Sequence, residues 1–235
     1  MRESSAICER RPKAKVNLIE LNDIVLRRGG EVILDLPGLQ LACGSQTLLT
    51  GGSGSGKSTL IHLLAGFLPL ASGRYSFEGQ DVTGLTERGW DKLRGAKIGV
   101  VFQHYPLLRG FSVLDNLLIP MGLVGQPDRA RAEALLKRVG LEHRRDHRPS
   151  QLSAGQRQRA ALVRALINRP ALVLADEPTA HLDPENGAAA LSLLKELVSE
   201  TKSTLLLVSH DHSLKTSLDQ HLRLEELNRA GVAKL

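Results

Sequence analysis

The sequence predicts an α/β fold: a mainly parallel sheet with helices on both faces, an N-terminal antiparallel β part and a helical insert. Three observations predict it. Short apolar runs alternate with helix-period stretches, the pattern of a parallel sheet covered on both sides. One such run, Thr47-Leu48-Leu49-Thr50, leads into a glycine-rich loop, Gly51-Gly52-Ser53-Gly54-Ser55-Gly56-Lys57-Ser58-Thr59, and then into the helical pattern Leu60-Ile61-His62-Leu63-Leu64-Ala65. From about 112 to 167 the periodicity is mostly helical, which marks an insert.

Taken in order, residues 1–16 read as a loosely held basic tail containing Arg10-Arg11-Pro12-Lys13. Residues 18–26 alternate as a strand, Arg28-Gly29-Gly30 signals a turn, and 32–36 resume a strand, which together give the antiparallel part. Residues 47–50 form the strand before the loop. Residues 58–67 read as a helix that stops before Pro69. A short strand over 73–79 and a buried strand over 97–102 follow. In the insert, 112–118, 128–139 and 154–167 are helical. The second of these has Leu135, Leu136 and Val139 on one face and Gly140 as its stop; the third is ended by Asn168-Arg169-Pro170. Strand 171–175, helix 185–198 and strand 203–209 restore the alternation. The expected division is an α/β core over 17–103 and 166–235 with a helical subdomain over 104–165. The sequence shows no internal repeat and no low-complexity segment.

The 235 residues suffice for one large domain or one domain with a small insert, and 42% hydrophobic content suffices for a sizeable core. No apolar run approaches the ~18 residues of a membrane span. The first 15 residues are charged and lack an apolar h-region, so the reading is a cytoplasmic chain without a secretory signal. Cys8 and Cys43 lie far apart and read as ordinary free thiols. The net charge of +6 could favour nucleic acid or an anionic membrane face, although solvated surface is at least as good a reading, and scant aromatic content speaks against single-stranded nucleic acid.

The glycine loop fits the pattern G-x-x-x-x-G-K-[ST] in the strand–loop–helix setting that pattern needs, and so predicts a P-loop NTPase core. Glycines let successive N–H groups turn inward onto phosphate oxygens. The helix that follows adds its positive end. Lys57 can reach the β- and γ-phosphates, and the Ser58 hydroxyl can ligate Mg²⁺.

A second apolar strand, Ala171-Leu172-Val173-Leu174-Ala175, ends in Asp176-Glu177. Ligands in open α/β sheets bind at the carboxyl ends of strands. Asp176 is therefore expected near the phosphate loop as a Mg²⁺ ligand, and Glu177 as the group that orients or deprotonates an attacking water. Ser203-Thr204-Leu205-Leu206-Leu207-Val208-Ser209 leads to His210, able to donate to a γ-phosphate. Gln103 ends the strand Gly99-Val100-Val101-Phe102 and is a candidate for Mg²⁺ or water. Taken singly, Gln103 and His210 read as structural or surface residues; the combination raises them. In Leu152-Ser153-Ala154-Gly155-Gln156, Ser153 is a plausible N-cap and Gly155 permits close approach to the backbone. That is a second phosphate-suited helix end. Two such ends make sense if one site needs both, each from a different subunit.

These motifs, in this order over about 18–224, resemble the ATP-binding subunits of ABC transporters. The phosphate loop is 51–58, the glutamine loop Gln103, the signature 152–156, the acidic strand 172–177 and the switch histidine His210; Ala180-His181-Leu182-Asp183 resembles the D-loop. The resemblance implies ATP and Mg²⁺, with the loop residues and Gln103 on nucleotide or metal and Ser58, Gln103 and Asp176 around Mg²⁺. Glu177 is implied as general base, with Lys57 and His210 beside it. It implies a head-to-tail homodimer, or a dimer with a similar chain, in which Ser153, Gly155 and Gln156 close the partner's site. It also implies integral membrane permease subunits, a peripheral place on the cytoplasmic face of the inner membrane, and no nucleic-acid partner. Phe102-Gln103-His104-Tyr105-Pro106, Asp115-Asn116-Leu117-Leu118-Ile119-Pro120, Asn168-Arg169-Pro170-Ala171 and Ala175-Asp176-Glu177-Pro178-Thr179-Ala180 are similar to the lipoprotein-release and macrolide-export subgroup. Three positions depart from the family: Arg28 falls where an adenine-stacking aromatic is usual, Ala154 replaces a glycine, and His181 stands in the D-loop. The alternative is a soluble ABC-type ATPase acting on DNA or ribosomes. Against it stand a single set of motifs and only 50 positions between Gln103 and Ser153, too few for a coiled-coil arm. A regulator with a dead site is disfavoured by Lys57 and Glu177 occurring together.

Overall fold

Strands β1 (Asn17–Arg28) and β2 (Glu31–Ala42) pair antiparallel across a tight turn. Gly29 and Gly30 hold φ of 59° and 85° there, the left-handed values that a two-residue hairpin turn demands. The computed structural model describes residues 16–125, 127–180 and 182–230. The tail expected over 1–16 (apart from Val16), Cys8 and His181 lie outside the described residues. β4 (Ser72–Phe77) and β5 (Gln80–Asp81) extend the first sheet in the order β2-β1-β4-β5.

The second sheet is parallel in every pairing. Its strands, in spatial order, are β6 (Ile98–Val101), β7 (Leu172–Asp176), β8 (Thr204–Val208), β3 (Gln46–Thr50) and β9 (Gln220–Arg223). The central strands are buried on both sides, as near-continuous Leu/Val runs require. In β8, Leu206 and Val208 face one core, shared with the antiparallel sheet and α1 (Lys57–Leu64). Leu205 and Leu207 face another, covered by α5 (Ala154–Leu166) and α6 (Pro184–Thr201). Each fully buried leucine of this kind contributes ~1.5–3 kcal/mol of burial. A third cluster joins α3 (Val113–Val124), α4 (Arg129–Arg138) and the inner face of α5. α5 belongs to two clusters: Ala160, Val163 and Ile167 pack with the insert helices, whereas Leu162 and Leu166 pack on the sheet.

The elements depart from the sequence reading in several places, β2 for one running to Ala42 where the reading ends at 36. α1 ends at Leu64, short of Phe67, because Gly66 turns left-handed at φ 70° and the Phe67 N–H closes onto His62 O, a Schellman stop. α3 runs through Pro120 to Val124; its start is fixed by the reciprocal Ser112–Asp115 capping box. α2 (Glu87–Lys97) was not expected, and Lys97 belongs to it rather than to the next strand. None of its residues is fully buried; its apolar stripe is only Trp90 and Leu93, half-buried against the first core, too short a signal to read. β9 and the one-turn helix α7 (Leu224–Leu227) were also unread, because β9 is short and half exposed.

Candidate nucleotide site

Strands β3, β6, β7 and β8 all run in one direction, so their carboxyl ends gather the loops that follow them. A pocket of about 410 Å³ opens there. Of the residues expected at the site it is lined by Gly51, Ser53, Gly54, Ser55, Gly56, Lys57, Ser58, Thr59, Gln103, Glu177 and His210, and also by Ile33 and Ala180. Gly52 and Asp176 do not line it. Arg28 does not line it either; the β2 side of the pocket is given by Ile33. Ser153, Gly155 and Gln156 lie elsewhere in the same chain.

The loop's shape depends on glycine at Gly56. Its φ is 101°, and an added Cβ would meet Leu34 Cδ2 at 2.9 Å. The Lys57 ammonium donates to Gly51 O at 2.8 Å and Gly52 O at 2.7 Å, so the cation sits over the loop and within the pocket lining.

Asp176 ends β7 below the pocket. Its Oδ1 is buried and has no hydrogen-bond partner among the described residues. Burial pushes its carboxyl above the ordinary aspartate value; the Ser58 hydroxyl pulls it down and the neighbouring Glu177 charge pushes it up. A buried, half-satisfied carboxylate oxygen beside a serine hydroxyl suits a hard cation. Among the described residues no group of three or more His, Cys, Asp or Glu side chains gathers to hold a metal.

Glu177 has φ 47°, left-handed for a side chain that gains nothing locally from it, at a cost of about 1–2 kcal/mol. The turn is held at its N–H, which donates to Val208 O at 3.0 Å, and at its carbonyl, which accepts from Ala180 N–H at 3.2 Å. Strain of this kind collects at functional sites. Its carboxylate Oε2 lies 2.9 Å from His210 Nδ1, joining the ends of β7 and β8. The next carbonyl, Pro178 O, accepts from Gln158 Nε2 at 3.2 Å and from the Tyr105 hydroxyl. Burial raises the Tyr105 hydroxyl to about 12, so it stays a donor at any working pH. Tyr105 and Gln158 were not anticipated as site residues. Gln158 was legible as a glutamine on the buried face of an otherwise apolar helix stripe; Tyr105 gave no such signal.

Ser153 caps α5. Its hydroxyl accepts from Gln156 N–H at 3.2 Å, and Gln156 Oε1 accepts from Ser153 N–H at 2.9 Å. A Cβ at Gly155 would meet only Asn186 Oδ1, at 3.9 Å. Among the described residues the chain's own packing therefore leaves open space in front of that glycine. A larger cavity of about 940 Å³ adjoins the pocket between α6 and residues 209–217, sharing Ala180 and His210 with it.

A family model described as ABC transporter matches residues 34–180. The chain is 43% identical to the lipoprotein-releasing system ATP-binding protein LolD of Hahella chejuensis, over 88% of this chain and 91% of that one. In fold it is similar to the dimeric post-hydrolysis state of the ATP-binding cassette MJ0796 bound to ADP and Pi, with TM-score 0.78, 30% identity, and coverage of 87% and 93%. It is similar also to cbiO1 of Clostridium perfringens, part of the transporter complex cbiONQ, with TM-score 0.79, 30% identity, and coverage of 88% and 84%.

Proposed function

We propose a function from one premise: this chain belongs to the ABC transporter family. It is the ATP-hydrolysing motor subunit of an ABC transporter. The likeness to a lipoprotein-releasing relative supports a system of that type, or a related exporter, as the one the motor drives. The observation that carries the reading is the Glu177–His210 pair, which faces the same pocket as Lys57 and the glycine loop.

In our reading Lys57 leaves the Gly51 and Gly52 carbonyls for the β- and γ-phosphate oxygens when ATP enters, exchanging two neutral acceptors for charged ones. Backbone N–H groups of 53–58 cradle the phosphates at the start of α1. Asp176, Ser58 and Gln103 would hold Mg²⁺; the unpartnered Asp176 Oδ1 and the Ser58 hydroxyl fit that role. When bound, Mg²⁺ supplies neutralisation of the phosphate charge. Glu177 takes a proton from the attacking water, and His210 fixes the carboxylate's direction. The turn at Glu177 and the two donors on Pro178 O hold that direction before the substrate arrives.

The signature residues Ser153, Gly155 and Gln156 serve the site of a second copy or of a similar chain. The open space before Gly155 supports this, and the MJ0796 cassette is a dimer with ADP and Pi. The insert over 104–165 acts as a helical subdomain, the core being 17–103 and 166–235. Among the described residues no helix is long and apolar enough to cross a membrane. On the family reading, integral permease subunits hold the motor peripherally, at the cytoplasmic face.

Replacing Glu177 with Gln tests the site. ATP binding is retained, hydrolysis falls by about 10²–10⁴-fold, and an ATP-bound dimer accumulates on size exclusion. Unchanged turnover would remove Glu177 as the base.

A further inference from the structure

We infer that the C-terminal turn α7 is a clasp on the phosphate loop, with Glu225 as a positioning residue for ATP binding. Parallel pairing places Arg223, the last residue of β9, beside Thr50, the last residue of β3. The two strands thus deliver α7 and the phosphate loop to the same end of the sheet. From α7 and its C-cap, two side chains one helical turn apart reach the loop. The Glu225 carboxylate accepts from the Gly52 N–H. The Asn228 amide donates to Ser55 O at 3.3 Å and to Ile33 O at 3.0 Å, and its Oδ1 accepts from Asp35 N–H at 2.8 Å. The loop is thereby tied at Gly52 and Ser55, and β2 is tied to it.

Neither Glu225 nor Gly52 lines the nucleotide pocket. The carboxylate bonds the loop at Gly52, outside that lining, so its place is read as support of the loop rather than contact with phosphate. Its seat is close to Gly51: an added Cβ there would lie 3.2 Å from Glu225 Oε1 and 2.7 Å from Ser55 Oγ. The Gly52 N–H holds the Glu225 carboxyl below its ordinary value, so it is ionised at neutral pH. Lys57 grips the carbonyls of Gly51 and Gly52. Once phosphate draws Lys57 away, Glu225 is the side chain still holding the Gly52 peptide among the described residues. Its contribution is preorganisation: the loop keeps its shape before and after the lysine moves, so binding need not order it.

The inference rests on the nucleotide reading of the pocket, and the test separates the two. In the full chain, Glu225→Ala, Glu225→Gln and Lys57→Ala are compared by equilibrium ATP binding, by KM and kcat, and by thermal melting. Glu225 is exposed, so its alanine variant is expected to melt within ~2 °C of the parent. Its Kd and KM for ATP are expected to rise about tenfold, with kcat at saturation within about twofold. Glu225→Gln keeps an oxygen acceptor and is expected to recover most of the affinity. If alanine does not fold, Glu225→Asp, one methylene short of the amide, must show the same KM rise.

Unchanged affinity in Glu225→Ala overturns the clasp. Tighter binding also overturns it and makes the carboxylate an electrostatic opponent of phosphate. A loss that glutamine does not relieve, or one that follows a lowered melting temperature, reduces Glu225 to ordinary scaffolding and overturns the assignment. Lys57→Ala must lose ATP binding in every case; if it binds as the parent does, the nucleotide reading itself fails.

Discussion

Asp176 ends β7 with one carboxylate oxygen buried and, among the described residues, unpartnered, an arrangement that stability alone would remove. Burial raises its carboxyl above the ordinary value, which fixes the sign of a pH effect. In the unfolded chain an aspartate loses its proton near pH ~3.9. The folded chain holds the proton to a higher pH, so stability falls as pH rises through that interval. Asp176→Asn removes the penalty. Without metal it is expected to melt above the parent at neutral pH, with the margin shrinking as pH falls toward ~4, while Mg²⁺-dependent hydrolysis is lost. Thermal melts at several pH values with chelator present check this; an asparagine variant less stable at neutral pH would show that the carboxylate has a partner in solution. Residues of this kind were legible from the sequence because a charged pair cannot end a hydrophobic strand without a reason. The Glu177 conformation and its brace were not legible. A φ of 47° on a glutamate and a hydroxyl arriving from Tyr105, 73 positions away from Pro178, leave no local trace in the sequence.

At the scale of elements, two helices begin with the same chemistry and differ in use. Ser112 caps α3 with Asp115, and Ser153 caps α5 with Gln156, each in a reciprocal box. Alanine at either position is expected to cost about 1 kcal/mol, a fall of ~2–4 °C in Tm for a chain of this size. Only Ser153→Ala is expected to reduce ATP hydrolysis as well, by at least about tenfold, since in the proposed dimer its helix start also faces a neighbour's nucleotide. Matched melts and steady-state rates check the pair; equal rates in the two variants would make the α5 start a cap and nothing more. The α5 start was legible in Ser153 as an N-cap, whereas the α3 start was legible from helical period alone and its box appears only in the structure. The glycine loop was legible because its residue types are dictated by its own backbone. What stayed hidden was α2, whose apolar stripe is only the half-buried pair Trp90 and Leu93, and the β9–α7 segment, which ties other backbone. Local patterning reports what an element buries; it is silent about what an element ties down.

At the scale of the molecule, the phosphate-loop pocket and the signature residues of one chain do not meet. The pocket gathers Lys57, Glu177 and His210 but no signature residue, while Gly155 faces open space. The parallel strand order explains why: loops after β3, β6, β7 and β8 share one end of the sheet, whereas α5 starts from the insert's own cluster. If the halves are completed head to tail between two copies, damage in different halves must complement. Lys57→Ala spoils the phosphate-loop half and leaves the signature; Ser153→Ala does the reverse. Each variant alone is expected to be nearly inactive. In a mixed dimer one site inherits both lesions and the other inherits neither. Equal amounts assorting at random give half mixed dimers, each with one intact site of two, so about a quarter of the parental hydrolysis should return if the sites act independently. ATPase rates measured across a titration of one variant into the other give the answer. A peak near the equal mixture places the complete site between chains. Rates that remain at the floor of the separate variants at every ratio would return the signature to its own chain and leave the open space at Gly155 without an occupant.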